Sequence, residues 1–470
     1  MRLALRTGVA LVPLVLAACA DTALVNQVST PGAGFETVSR VTRQATGANG
    51  VLALSAADVA ANEARARSLV FHKTIGPDTA VQVALMNNRG LQAAYSDLGL
   101  SAADLWEVAL GPIPSFGVTI SGIGEVGLAR SLEAAVTGAI LDAATLKPRK
   151  ALAQTHFQQA QFEALGATIA LATETRQAWI DAVAAFETAA LIGRAQGTAD
   201  AASELASELG RTGAMNRADQ AREHVFTAEL AAERADARLE AQLAKERLTR
   251  LMGLWGTDID FFVPDRLPGL PGVRPGRADV ERLALENRTD LAIGRLELEV
   301  IAQEHRLAGQ TRMISDIGLV AGVEAERSIT STGRQTTVSP VTQVSFEIPL
   351  YDTGKIANRR GELAYMRAAN ELAQAAVNAR SEARTAHAAV TGKYSIAQHW
   401  RDEVLPLRRV IDEEALKSYN GMLSSTFELI ADARERLDAE ISYAEAKADY
   451  WRAEADMTAA IWGGPTGGND

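Results

Sequence analysis

The octapeptide ALMNNRGL at Ala84–Leu91 returns two hundred residues later as ALENRTDL at Ala284–Leu291, with four of eight positions identical. A chain that repeats itself at this spacing folds as two similar halves, and the order of later features agrees. Each octapeptide opens a helical stretch of about twenty residues, followed by strand-like alternation. Ile140-Leu141-Asp142 and Leu350-Tyr351-Asp352 then occupy similar places, and Arg149-Lys150 is echoed by Arg359-Arg360. The halves close on Thr249–Gly253 and Thr458–Gly463. Solenoid repeats of about 20–50 residues are far shorter than this period. Between the halves, Gly256–Gly276 carries Pro264, Pro268, Pro271 and Pro275, which cannot continue a helix.

The best strand signal lies in the second half. In Val341–Leu350 (VTQVSFEIPL), Thr342, Val344, Phe346 and Ile348 share one face, and Gln343, Ser345 and Glu347 the other. Alternation over about ten residues, with Tyr351 just past the end, fits a transmembrane strand. Ile317–Ala325 alternates likewise, and the polar Arg327–Ser339 between them reads as an exposed loop. The first half offers Phe116, Val118 and Ile120 on one face, a loop over Gly122–Arg130, and a second strand over Leu132–Leu141. The pattern alone also suits a small soluble hairpin packed on the helices. Four strands cannot close a barrel, because the smallest transmembrane barrels have about eight. If these strands cross a membrane, several copies of the chain must pool them.

The helical stretches from Lys150 to Leu209 and from Ala357 to Ser418 contain no proline except Pro406. Each is about sixty residues, and such a helix reaches about 90 Å. Apolar residues make up 47% of the chain but aromatics only 5%, because alanine dominates. Alanine has the highest helix propensity and buries little area, so the composition suits long, closely packed helices. The net charge of −11, with no basic cluster in the sequence, excludes nucleic acid as an expected partner. Past the N-terminus no apolar run approaches the roughly twenty residues of a membrane helix, so a membrane crossing here requires a closed β-barrel.

Arg2 and Arg6, the apolar Thr7–Leu16, small Ala17 and Ala18, and then Cys19, the single cysteine, read as a secretory signal. The L-A-A-C ending resembles the bacterial lipobox, which implies lipidation of Cys19 and removal of residues 1–18. Ala20, standing where aspartate marks retention at the inner membrane in many bacteria, favours the outer membrane. The expected division is a lipoprotein signal peptide (1–18), an N-terminal anchor and linker (19–79) and a first repeat of helix, strand pair and long helical hairpin (80–253). A proline-rich crossover linker (254–279), a second repeat (280–463) and a tail (464–470) follow.

Three passages resemble the TolC-type outer-membrane efflux proteins. Val344–Arg360 (VSFEIPLYDTGKIANRR) is similar to the family's strand-to-helix corner, and Tyr419–Arg434 (YNGMLSSTFELIADAR) to its hairpin-tip passage. Glu286–Ala308 resembles the Arg-x-Asp-Leu helix that opens the second half. Gly421 stands two residues after Tyr419, where many relatives have glycine three after. The resemblance implies a mainly α protein with a small membrane β part. Duplicated helical hairpins form an α-barrel, and four β-strands per chain contribute to a trimeric 12-stranded transmembrane β-barrel. It implies a passive exit duct, without cofactor, lipid-anchored in the outer membrane of a Gram-negative bacterium and extending into the periplasm. Its implied partners are two further copies, outer-membrane lipid, a periplasmic adaptor and an inner-membrane pump. Ala84–Leu105 looks more like relatives that accompany heavy-metal exporters than like general drug ducts.

The two helix-to-helix turns are the expected docking tips, carrying Gly210, Arg211 and Gly213 in the first half and Tyr419, Gly421, Met422 and Ser425 in the second. Glycine there supplies the positive φ of a tight C-cap and lets another backbone approach; by themselves these are ordinary C-caps, and the family adds adaptor contact. Glu428 sits where relatives often carry an acid just inside the tip. In a trimer it recurs as a candidate acidic constriction that favours cations; alternatively it belongs to a solvated face with Asp432. An enzyme is not expected: His72, His156, His224, His305, His387 and His399 are scattered, with no zinc spacing, no Walker loop and no G-x-S-x-G. The alternative to a channel is a lipid-anchored helical scaffold without a pore.

Overall fold

The computed structural model describes residues 21–112, 115–121, 130–273, 279–311, 316–330, 333–347, 354–421 and 423–463. Cys19 and the signal (1–18), most of the loop read at Gly122–Arg130, Ile348–Asp352, Met422 and the tail (464–470) lie outside the described residues.

Helices α1 (Thr22–Val28), α2 (Phe35–Thr46) and α3 (Ala56–Val70) lead into α4 (Pro77–Asn87) and α5 (Arg89–Leu110). Strands β1 (Ser115–Ser121) and β2 (Arg130–Ala139) follow, then a short α6 (Ile140–Ala144) and α7 (Leu146–Arg211), which turns back as α8 (Arg217–Leu251). The second half repeats this with α9 (Val280–Asn287), α10 (Thr289–Thr311), β3 (Asp316–Thr330) and β4 (Gly333–Glu347). It continues as α11 (Lys355–His399), a π-helical turn (Trp400–Val404), α12 (Leu405–Asn420) and α13 (Thr426–Trp462). The segment read as anchor and linker therefore carries three helices before α4.

The repeated octapeptides mark a repeated joint. The α4–α5 break falls at Asn88 (φ −69°, ψ 120°) and the α9–α10 break at Arg288 (φ −62°, ψ 127°). Each break receives the end of a returning long helix. Gly253 (φ +66°) follows α8, and a Cβ there would stand 2.7 Å from Asn87 O. Gly463 (φ +89°) follows α13, and its Cβ would stand 2.9 Å from Thr289 Oγ1. Both positions need glycine twice over, for the left-handed backbone and for the space. Asn87 Nδ2 donates to Gly253 O at 2.7 Å and Asn88 Nδ2 to Leu251 O at 2.9 Å. Arg288 Nη1 donates to Ala460 O at 3.4 Å, so the second joint is tied the same way.

The chain divides into two units. One comprises residues 1–36, 96–163 and 291–374 and holds the four-stranded antiparallel sheet, ordered β1-β2-β3-β4. The other comprises 37–95, 164–290 and 375–470. Its core gathers Ile75, Met86, Trp179, Val183, Leu248, Met252 and Phe261 with buried alanines such as Ala84, Ala178 and Ala448, small enough to let helix axes approach closely. The proline-rich crossover is packed against this unit. Thr74 bridges Phe262, Leu267 and Leu270 are buried, and Trp451 Nε1 and Tyr394 Oη donate to Pro268 O and Pro271 O at 3.0 and 2.9 Å. An ionic chain ties four helices, running Arg247–Asp181–Arg452–Asp449–Lys393 across α8, α7, α13 and α11. Beside it, Lys447 Nζ meets Glu187 at 2.8 Å, and the Leu267 N–H donates to the same carboxylate at 3.1 Å.

Three sequence expectations change. The polar Arg327–Ser339 is strand, not an exposed loop: pairing continues through Arg327↔Thr336 and Ile329↔Arg334 to Thr330↔Gly333. Ile329-Thr330 and Thr336-Thr337-Val338 are β-branched runs that pair readily, and the polarity around them does not break the ladder. Leu132–Leu141 shifts, since β2 spans Arg130–Ala139 and Ile140 begins a helix. The helix expected over Ala357–Ser418 is interrupted by the π turn, where the Leu405 N–H reaches back to Trp400 O. Pro406 lacks an N–H and would clash with the carbonyl four residues earlier, and the wider turn relieves this.

The Lys447–Glu187 pair is almost fully buried, with side chains 5% and 11% exposed. Lys447→Ala leaves that carboxylate unpaired away from water and is expected to cost roughly 3–5 kcal/mol, read as a shift in the urea unfolding midpoint.

Candidate functional site

The register sorts the sheet residues onto two faces. Ile120, Leu132, Ala325 and Val338 form one cross-strand row; Val118, Ala134, Val323 and Pro340 the next; Phe116, Val136, Ala321 and Thr342 the third. Leu319–Val344 and Ile317–Phe346 extend the same face. It is apolar except for Thr342. Val118, Ile120, Leu132, Val323, Val338 and Val344 are exposed on it. From Ile317 to Ala325 the band spans nine residues of β3, close to the roughly 9–11 a tilted transmembrane strand needs. The band ends at Arg130 and Arg327, partners in the register. The opposite face carries Ser, Thr, Gln and acids, with Glu133 directly across from Glu324. The outer edges of β1 and β4 pair with no strand among the described residues.

At the first tip, Gly213 adopts φ +78°, and the Ala214 N–H donates to Leu209 O at 2.8 Å, closing α7. A Cβ at Gly210 would fall 1.0 Å from Gln220 Nε2, the mobile end of a side chain that donates to Ala206 O. Arg211 pairs with Glu208 on the surface, and Asn216 caps α8 by accepting from the Asp219 N–H at 2.9 Å.

The second tip is built differently. Gly421 has φ −81°, so the left-handed backbone expected there is absent, and a Cβ would make only ordinary contacts at 3.4 Å or more. The Leu423 N–H donates to Ser418 O at 2.9 Å across this turn. Ser425 caps α13 through a reciprocal box: the Glu428 N–H donates to Ser425 Oγ at 3.2 Å, and the Ser425 N–H to the Glu428 carboxylate at 2.8 Å. Glu428 is exposed. The S-x-x-E spacing for this box stands in the sequence, at Ser425–Glu428, as a helix-start signal.

The tips share a cleft of about 600 Å³ lined by Leu209, Met215, Glu223, Tyr419, Ser424 and Ser425 among others. Leu423, 85% exposed, stands on the second tip. Glu223, 3% exposed, is a residue the sequence does not mark, because it looks like any acid of an Ala/Glu/Arg-rich helix. Burial raises its carboxyl above the usual range, Asp219 adds to the shift and His224 opposes it. No group of three metal-ligating side chains occurs among the described residues.

Gly210→Ala and Gly421→Ala are both expected to be mild: the first displaces only the mobile end of Gln220, with the higher helix propensity of alanine offsetting the lost hydrogen bond, and the second stays within about 0.5 kcal/mol of the native chain. Ser425→Ala is expected to cost about 1 kcal/mol through the lost cap, and thermal unfolding of the three variants checks all of these values.

No protein-family model matches the sequence, and no curated protein does. Among solved structures, the CmeC outer membrane channel of Campylobacter jejuni superposes with a TM-score of 0.69 at 17% identity, over 84% of this chain and 87% of that one. The outer membrane protein VceC of Vibrio cholerae gives 0.64 at 15% identity, over 83% and 96%. The open state of the MtrE outer membrane channel of Neisseria gonorrhoeae gives 0.62 at 16% identity, over 88% and 94%. The duplicated helical hairpins and the four-stranded sheet thus form the fold of the TolC-type outer-membrane channels.

Proposed function

We infer that the chain is one third of a passive exit duct in the outer membrane of a Gram-negative cell. The observation that carries this reading is the sheet, with an apolar face one bilayer tall and two open edges. In hydrocarbon, unpaired backbone groups are too costly to leave exposed, so the edge of β4 must find a β1 of another copy. Three copies give twelve strands. Their polar faces, with Glu133 and Glu324, then line the lumen.

The helices support association as well. Helix α12 buries none of its residues in the single chain, yet Leu407, Val410 and Ile411, three and four residues apart on one face, are exposed along it. An apolar stripe without a partner in its own chain suits a neighbouring copy.

The N-terminal end supports a lipid anchor at Cys19. The Asp21 N–H donates to Ala109 O at 3.3 Å, and its carboxylate lies 3.9 Å from Lys150 Nζ. Ala109 closes the helix that enters β1, and Lys150 opens the helix that leaves β2. An acylated thiol two residues before Asp21 would meet the membrane where the apolar sheet face begins.

The turns carrying Gly210, Arg211, Gly213, Tyr419, Gly421, Met422 and Ser425 would receive a periplasmic adaptor, which joins the duct to an inner-membrane pump. Glu428 would form the acidic constriction. The passage Ala84–Leu105 favours a heavy-metal exporter as the system served.

Electron microscopy of the detergent-extracted chain tests the assembly: a three-fold hollow particle is expected, and single thin rods would replace the duct with a scaffold. Gly421 offers a docking probe because its Cβ has room. Gly421→Arg is expected to keep the trimer and abolish export from cells. Glu428→Gln preserves the capping box, to which glutamine is equally suited, and removes the charge. Planar-bilayer recording is expected to show weaker cation preference for it with unchanged thermal stability, and unchanged selectivity would remove the acid from the constriction.

A further inference from the structure

Helix α8 carries two apolar faces. One is packed within the chain, through Leu230, Ala237, Ala241 and Leu248. The other, on the opposite side of the helix, runs through Val225, Ala228, Ala232, Ala235 and Leu239 at steps of three and four residues, and all five are exposed. Val225 is 55% and Leu239 52% exposed, and Leu243 continues the line. A helix that turns one side to water carries polar residues on it, so a second apolar stripe asks for a second partner.

The duplication shows what such a stripe fits. Asn216 caps α8 and Ser425 caps α13, 209 residues later, and Thr249 and Thr458 keep the same shift near the far ends of the two helices. Val225, Ala228, Ala232, Ala235 and Leu239 thus correspond to Arg434, Leu437, Ile441, Ala444 and Ala448. On α13 this stripe is packed. Arg434 lies over the Phe226 ring at 5.4 Å, while Leu437, Ile441 and Ala444 join Leu191 and Ile192 of α7 and Leu230 and Ala237 of α8. Ala448 joins Trp179 and Val183 of α7. Within one chain, the returning helix of the second half therefore lies against both long helices of the first. The returning helix of the first half has the same stripe and leaves it bare.

The second half bears a matching surface. Ile396 on α11 and Leu407, Val410 and Ile411 on α12 are exposed aliphatic residues, and these helices stand to α13 as α7 stands to α8 in the repeat. Each half leaves an apolar surface open, and the two open surfaces are the counterparts of the two that meet inside the chain.

We propose that the outer stripe of α8 packs against α11 and α12 of a second copy, as α13 packs against α7 in its own chain. The inference rests on the duct reading above, whose copies meet through these helices. The contact joins unlike surfaces, so each copy offers one and receives the other, and repetition closes a ring. Alanine at three of the five positions lets helix axes approach closely, while Val225 and Leu239 supply buried area.

The test is disulfide trapping in the full chain, extracted from membranes in mild detergent. Val225→Cys, Ala232→Cys or Leu239→Cys is combined with Ile396→Cys, Leu407→Cys or Ile411→Cys, and mild oxidation is followed by denaturing electrophoresis. The native chain measures what Cys19 alone contributes. Each stripe position is expected to link to at least one position on α11 or α12, giving a ladder of two and three chains that a reductant collapses. Glu233→Cys, exposed on a flank of α8, is expected to link to none of them. Leu239→Glu is expected to leave unfolding of the single chain unchanged, because the site is exposed there, and to weaken association at least about tenfold. If trimers form but the stripe cysteines link no more than Glu233→Cys, or link only to their own equivalents in another copy, the proposal falls and the duct stands. If no trimer forms, the duct reading falls and this one with it.

Discussion

Two rows of backbone N–H and C=O groups, along the outer edges of β1 and β4, set the terms for the rest of this molecule. The sheet is apolar on one face over a bilayer's height, and in hydrocarbon there is no water to satisfy an edge. One copy cannot solve this by itself, because four strands are half of the smallest barrel known to cross a membrane. On the membrane reading, oligomerisation is thus a condition of stability for the β part. The helical part must be compatible with it, and it is: α12, with no buried residue of its own and an aliphatic stripe outward, needs a neighbour for a different reason, the hydrophobic one.

Duplication sets how the helices answer that demand. Each half closes its long hairpin on a glycine seated under the break between two short helices, Gly253 on Asn87–Asn88 and Gly463 on Thr289. The side chains that tie the joints have diverged, two asparagine amides in one and an arginine in the other. The backbone geometry has not, since only glycine meets both the positive φ and the missing Cβ. Around these joints the packing is dense and ionic: the chain from Arg247 to Lys393 and the buried Lys447–Glu187 pair fasten both hairpins and the crossover together. The tips have no comparable anchor. Their contacts are caps, surface pairs such as Arg211–Glu208, and a half-open cleft, which leaves their surfaces available to a partner.

What could be seen in the sequence follows from the range of the interactions involved. The strand faces were legible because period-two alternation is local and the bilayer rewards it strictly: Ile317–Ala325 and Val341–Glu347 lie as read. The repeat was legible because glycine and helix-break positions tolerate few substitutes. The polarity of Arg327–Ser339 reads as a loop, whereas strands that continue past the apolar band remain strands with polar side chains. Pro406 was visible, but its π turn depends on how a whole helix accommodates one lost hydrogen bond. Gly421 suggests a left-handed turn by residue type, yet its φ is −81°.

In the proposed duct, Glu428 would meet a second demand beside the cap it is seen to form. Its carboxylate completes the box that starts α13, a local task worth about 1 kcal/mol, and this alone explains a glutamate three residues after Ser425. A ring of acids at a constriction asks only for charge at that height, so any nearby acid, Asp432 included, would serve electrostatically. Position is what separates the two. The cap fixes Glu428 in the first turn of α13, immediately inside the tip, and a side chain held by the backbone repeats at one radius in every copy. A carboxylate immobilised by a cap would therefore make a better constriction element than a free one on a solvated helix face, and in the proposed duct the structural task would reinforce the electrical one.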